Sequence, residues 1–103
     1  MKNYLIYVFA VFSLSTFAQK DWIRYASISP DASQIAFAYQ GDLFLVDSDG
    51  GKADPLLLGE AYESNPVWSN DGTKLAYTSD LYGNFDIFIF DLKSRESTRL
   101  TFH

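Results

Sequence analysis

Ten residues, Ile28-Ser29-Pro30-Asp31-Ala32-Ser33-Gln34-Ile35-Ala36-Phe37, are written a second time forty positions later as Trp68-Ser69-Asn70-Asp71-Gly72-Thr73-Lys74-Leu75-Ala76-Tyr77. Past a hairpin loop four residues longer in the second copy, Asp42-Leu43-Phe44-Leu45-Val46-Asp47 lies over Asp86-Ile87-Phe88-Ile89-Phe90-Asp91, and Leu56 lies over Leu100. Each aligned pair keeps its physical type even where the identity changes. A chain made of one short unit repeated folds as like modules that stack, because a single unit has too little material to cover its own apolar faces.

Within each unit, β-branched and aromatic residues fill the runs, Gly, Asn, Asp and Pro stand between them, and no stretch carries the three-and-four spacing of an amphipathic helix. Four strands per unit follow. The first ends at Ile28 or Trp68; the second covers Gln34 to Tyr39 and Lys74 to Ser79; the third covers Asp42 to Asp47 and Phe85 to Leu92; the fourth lies around Pro55 to Leu58 and Thr98 to Phe102. The fold class is all-β. In the third strands Leu43-Phe44-Leu45-Val46 and Ile87-Phe88-Ile89-Phe90 are apolar without interruption, which predicts burial on both faces. In the second strand Ile35, Phe37 and Tyr39 are bulky on one side while Ala36 and Ala38 are small on the other, as two stacked sheets require. A four-stranded antiparallel unit recurring at about 40 to 45 residues has the period of a β-propeller blade.

The turns Ser29-Pro30-Asp31-Ala32 and Ser69-Asn70-Asp71-Gly72 join the first two strands of each unit. Pro presets the backbone, Ser and Asp hydrogen-bond nearby N–H groups, and Gly takes a positive φ at no steric cost. Ala32 stands where Gly is expected and costs about 1 kcal/mol if it occupies the left-handed region. The repetition of this Ser–Asp pair makes it a folding device rather than a nucleophile.

Residues 1–18 obey a different grammar: Lys2, then the apolar run Tyr4 to Phe12, then Ser13, Ser15, Thr16 and Ala18. This is the pattern of a secretory signal with cleavage before Gln19, and the run breaks into Ser and Thr too soon for a spanning helix of about 20 apolar residues. Residues 19–59 then form blade 1 and residues 60–103 blade 2. Removal of the signal takes away Lys2 and leaves seven Lys and Arg against thirteen Asp and Glu, so the exported product is acidic. The eight basic residues of the chain are scattered singly, which argues against a nucleic-acid partner. With no cysteine, thiolate metal sites, thiol catalysis, disulfides and a lipidated cysteine are excluded. The membrane is met only in transit.

Ser29-Pro30-Asp31, Asn65-Pro66-Val67-Trp68-Ser69, Asp71-Gly72-Thr73-Lys74-Leu75-Ala76-Tyr77 and Gly83-Asn84-Phe85-Asp86-Ile87-Phe88 resemble the repeats of TolB-like propellers. Trp22-Ile23-Arg24-Tyr25, Glu63-Ser64-Asn65-Pro66 and Arg99-Leu100-Thr101-Phe102-His103 are similar to the amino-terminal propeller of tricorn-type serine proteases. That resemblance implies a non-catalytic portion that gates or docks peptides for a protease domain lying beyond this chain, and no catalytic position of the family maps onto a residue here. The alternatives are a TolB-like periplasmic propeller that docks proteins, and a two-bladed lectin-like module that closes a ring as an oligomer. The partners implied are peptides or proteins and further blades, in cis or from other copies. The sequence departs from the pattern at Asn70 for Pro, Ala32 for Gly, and Leu81 where an Arg commonly follows the Ser-Asp pair, which weakens the expectation of a loop salt bridge at that hairpin but not the fold.

The remaining candidate sites are weak. His103 is the single histidine and has no Ser or acid arranged beside it, so it makes no triad. Asp47-Ser48-Asp49-Gly50-Gly51 begins like a calcium loop, but the twelfth position that should be Glu is Leu58, and a turn explains it. Gly50-Gly51 lacks the Lys-Ser or Lys-Thr of a phosphate loop. No catalytic, cofactor or metal residue is therefore assigned. Tyr82-Gly83-Asn84-Phe85, in the longer hairpin, places aromatics at a loop tip, where they either pack the loop or meet a peptide or sugar.

Overall fold

A computed structural model of the protein describes residues 24–57 and 59–102, and every regular element among them is a strand. Strands β1 (Arg24–Ile28), β2 (Gln34–Tyr39), β3 (Asp42–Asp47) and β4 (Asp54–Leu57) form one antiparallel sheet in that order. Strands β5 (Glu63–Trp68), β6 (Lys74–Ser79), β7 (Asp86–Asp91) and β8 (Glu96–Arg99) form the second. Each sheet is a meander, and β5 packs on β1, β2 and β3. The signal-type segment at residues 1–18, Trp22-Ile23, Leu58 and His103 lie outside the described residues.

Strands β2, β3 and β6 occupy the spans expected from the sequence. β7 is one residue shorter at each end than expected, and β8 lies two residues earlier, at Glu96 rather than Thr98. The reason is local: Asp91 accepts the N–H groups of Lys93 and Ser94, so the turn closes within Asp91–Arg95 and pairing resumes at once with Asp91 opposite Glu96. Arg95 takes φ 62° to complete that turn.

The two Ser–Asp turns are copies in atomic detail. Asp31 Oδ1 accepts from Ser29 Oγ at 2.8 Å, Ser33 Oγ at 2.7 Å and Ser33 N–H at 3.0 Å. Asp71 Oδ1 accepts from Ser69 Oγ at 2.7 Å, Thr73 Oγ1 at 2.7 Å and Thr73 N–H at 3.0 Å. Ala32 sits at φ 64° where Gly72 sits at φ 75°, so the alanine does carry the left-handed strain. Equivalent β-bulges also interrupt β1 and β5, with Tyr25 at φ 56° and Asn65 at φ 57°.

Register decides which side chains meet. Ala36 lies opposite Leu45 and Ala38 opposite Leu43, giving blade 1 a face of small second-strand residues. In blade 2, Leu75 lies opposite Phe90 and Tyr77 opposite Phe88, giving a bulky face. These two faces form one core with Leu56, flanked by Trp68, Leu57 and Leu92. Trp68 also donates its indole N–H to the Ser27 carbonyl of β1 at 2.8 Å, a polar tie from blade to blade. The bulky face of blade 1, with Phe37 stacked on Phe44 at 5.6 Å, makes a second cluster with Val46 and Ala53.

One expectation fails. β3 is apolar and covered on both faces, but in β7 Phe88 and Phe90 are buried while Ile87, on the opposite face, is 39% exposed. On that face of blade 2, Val67 and Ile87 are exposed and Ala76 is half-buried.

Candidate functional site

The blades pack tightly around Ala36, Ala38, Leu75 and Phe90 and part at the end that carries the longer hairpin. There a cavity of about 310 Å³ opens between Leu57 and the Gly59–Ala61 connection on one side and Glu63, Tyr77, Ser79, Leu81, Tyr82, Phe88, Ser97 and Arg99 on the other. That volume is at the lower end for a ligand pocket and suits one side chain or a short stem.

Its frame is tied together by hydrogen bonds and one close glycine contact. Glu63 N–H donates to the Gly41 carbonyl at 2.8 Å, which pins the inter-blade connection to the β2–β3 hairpin. Tyr62 N–H donates to Asp80 Oδ1 at 2.7 Å, which pins it to the longer hairpin as well. Gly41 lies directly beneath the Tyr62 ring: a Cβ there would stand 2.9 Å from Tyr62 Cδ2, and φ 83° independently favours glycine.

One wall is a ladder of planar groups. Tyr77 stacks on Phe88 at 5.6 Å, Tyr82 stacks on Phe88 at 6.2 Å, the Arg99 guanidinium lies 4.4 Å over Tyr82, and Phe102 lies 4.3 Å from the same guanidinium. Arg99 is held in that place by a 2.7 Å ion pair with buried Asp86, which also accepts from Thr101 Oγ1. The hairpin that lacks an arginine at Leu81 is therefore braced by an arginine from β8.

The floor is polar. Glu63 is 7% exposed, and among the described side chains its Oε1 is a buried oxygen with no hydrogen-bond partner. Burial, with the Asp42 and Asp80 carboxylates nearby, pushes Glu63 up to about 7. Tyr77 donates or accepts at Ser97 Oγ, 2.8 Å away, and its phenol is pushed up by burial, against the Ser97 bond and with help from Glu63. Ser79, register partner of Glu63, accepts the Leu81 N–H. A carboxyl group thus stands among three hydroxyls, with apolar Leu57, Leu81 and Phe88 beside them. This set holds polar groups that donate hydrogen bonds.

Of the residues singled out from sequence, Tyr82 lines the cavity, whereas Phe85 packs edge-on against Tyr62 at 6.4 Å and Gly83 and Asn84 stay outside. Asp47-Ser48-Asp49-Gly50-Gly51 is a turn, closed by Gly50 N–H on the Asp47 carbonyl at 2.9 Å, and no metal-binding group of acids or His occurs among the described residues. A smaller hollow of about 150 Å³ lies between the two Ser–Asp turns, where Asp31 Oδ1 and Asp71 Oδ1 each accept three hydrogen bonds from their own turns.

Glu63 escaped sequence reading because alternation counted back from Trp68 aims it away from blade 1. The bulge at Asn65 resets the count: Val67 pairs with Ala76, but Glu63 pairs with Ser79 on the bulky face. The usable signal was Asn65-Pro66 inside a strand, since a proline there marks an edge or a bulge.

No family model matches the chain. It is 34% identical over 73 residues, 71% of its length, to the Tol-Pal system protein TolB of Xanthomonas campestris, and 34% identical over 61 residues to a TolB homolog of Chlorobium luteolum. It is 28% identical over 82 residues to the uncharacterized peptidase YuxL of Bacillus subtilis. Among solved structures, TolB of Acinetobacter baumannii superposes with TM-score 0.70 at 27% identity over 79% of the chain, and a TolB of Agrobacterium tumefaciens with TM-score 0.73 at 23% identity over 82%. The described residues have the TolB-like β-propeller fold. The chain spans 14% of the Chlorobium relative, 16% of the Xanthomonas one and 12% of the peptidase, and 21% and 32% of the two solved chains.

Proposed function

We propose that this chain is a non-catalytic, protein-binding part of an exported TolB-like propeller, with residues 1–18 as export signal, 19–59 and 60–103 as successive blades, and the inter-blade cleft as a contact point for a protein or peptide in the periplasm. The observation that carries the reading is the cleft itself: a braced aromatic wall beside an unsatisfied buried carboxyl, on a chain whose likeness to TolB covers both blades. Aromatic residues with a few placed polar groups are what binding sites use. A second reading, the gating propeller of a tricorn-like serine peptidase, is favoured by the likeness to YuxL and by Arg99-Leu100-Thr101-Phe102-His103.

A photo-crosslinking residue at exposed Leu81, introduced into the protein in its own cells, tests this. Adducts with a folded envelope protein, recovered in the osmotic-shock fraction, support the first reading. Adducts with short peptides alone, together with a reading frame that runs past His103 into a protease core, favour the second. Recovery solely from the cytoplasm overturns both.

A further inference from the structure

A buried carboxyl oxygen without a partner is costly, and native structures leave few of them. Glu63 Oε1 is in that position at the floor of an open cavity. The charge around it is one-sided. Asp42 and Asp80 act on Glu63 from the neighbouring hairpins, Glu60 lines the same cavity, and Arg99, the one cation among the described residues that line it, is already engaged by Asp86 at 2.7 Å. The wall also offers the hydroxyls of Tyr77, Ser79 and Ser97, each able to accept a hydrogen bond, and beside them the apolar surfaces of Leu57, Leu81 and Phe88.

A ligand matching this set carries a compact positive charge with several N–H donors on an apolar stem. An ammonium has three donors and no acceptor, and a lysine stem supplies the methylenes. The Arg99 guanidinium already lies 4.4 Å over the Tyr82 ring, and the acceptors at the floor are oxygens, so the incoming cation is met by oxygen.

We propose that the inter-blade cavity binds a primary ammonium group, from a lysine side chain or a peptide amino terminus, with Glu63 as its counter-ion and the hydroxyls of Tyr77, Ser79 and Ser97 as acceptors. The proposal rests on the cleft being the contact point named above. Its chemistry is a salt bridge formed out of bulk water, which rewards a paired ion and penalises an unpaired one.

Titration of the full chain by n-butylammonium, followed in amide spectra at Ser79, Leu81 and Tyr82, is the direct test, with n-butanol as the uncharged match. Saturable shifts with the amine alone at about pH 8 are expected, weakened about tenfold by Glu63→Gln and about tenfold in the unaltered protein at about pH 6, where the carboxyl is mostly protonated and the amine is still charged. The pH arm stands without the variant. Equal binding by Glu63→Gln, or binding independent of pH, overturns the proposal. Two peptides separate it from the parent reading: acetyl-Ala-Lys-Ala-Ala-amide and acetyl-Ala-Leu-Ala-Ala-amide. If both shift the cleft equally, the cleft binds peptides and the ammonium assignment is wrong; if neither peptide nor amine shifts it, both ideas fall.

Discussion

β3 and β7 are spelled with the same kind of apolar run, yet Leu43, Phe44 and Val46 are buried whereas Ile87 is open on the face away from Phe88 and Phe90. The repeated unit fixes which residues share a face, but a face becomes core only when another surface lies on it. Blade 1 offers its small face to blade 2, and on the equivalent face of blade 2 Val67 and Ile87 are exposed.

The strongest way to break this comparison is by paired truncations in β7. Phe90→Ala removes a ring that is 1% exposed and should cost about 3 to 5 kcal/mol in chemical denaturation, whereas Ile87→Ala, one face over, should cost under about 1 kcal/mol. Equal losses would mean that the open face is covered in solution.

The second contrast is between two carboxyl groups. Glu63, buried in the cleft, is pushed up to about 7, while Asp71, exposed in its turn, is held down at about 2, chiefly by the Ser69 and Thr73 hydroxyls. Because Glu63 sits above its ordinary value of 4.5, folding disfavours its charge: the penalty is absent below about pH 4.5, grows as pH rises, and is complete above about 7. Glu63→Gln should therefore stabilise the protein at pH 8 by up to about 3 kcal/mol and do almost nothing at pH 4, read from urea midpoints at the two pH values. Asp71 behaves oppositely, contributing stability above its ordinary 3.8 that is lost as pH falls through about 2. A pH-independent gain from Glu63→Gln would show that packing, not charge, is the cause.

Smaller effects sharpen the contrast at the blade junction and the turns. Trp68→Phe keeps a ring against the core but removes the indole bond to Ser27, and should cost about 1 kcal/mol, leaving the half-buried Ser27 carbonyl to find water. Ala32→Gly should stabilise by about 1 kcal/mol, and Gly72→Ala should destabilise by a similar amount, since the two positions share a positive φ and the added Cβ at Gly72 meets only Pro30 at 3.7 Å. Matching melting-temperature shifts of opposite sign would confirm that the strain belongs to the backbone; a neutral Gly72→Ala would sink that account.

Much of the fold was written locally. The spans of β2 and β6 follow from alternation and that of β3 from its unbroken apolar run, and the Ser–Asp turns follow from side chains that bond within five residues of themselves. The cleft was less legible. Tyr82 stood out as a loop aromatic, but its stacking on Phe88 and beneath Arg99 joins residues from three separate strands or loops, and Glu63 entered the cavity through a bulge that alternation cannot foresee.

Taken alone, then, the amino-acid order determined the repeated four-stranded unit, its turns and the bulky and small sides of its second strands, because those depend on backbone preferences and on a period of two along the chain. Which apolar sides became core, where the blades part, and that an acid at position 63 lies in the gap without a partner were decided only by how one sheet rests on the other. Burial and the electrostatics that follow from it are properties of neighbours distant in sequence, and a residue's own identity does not contain them.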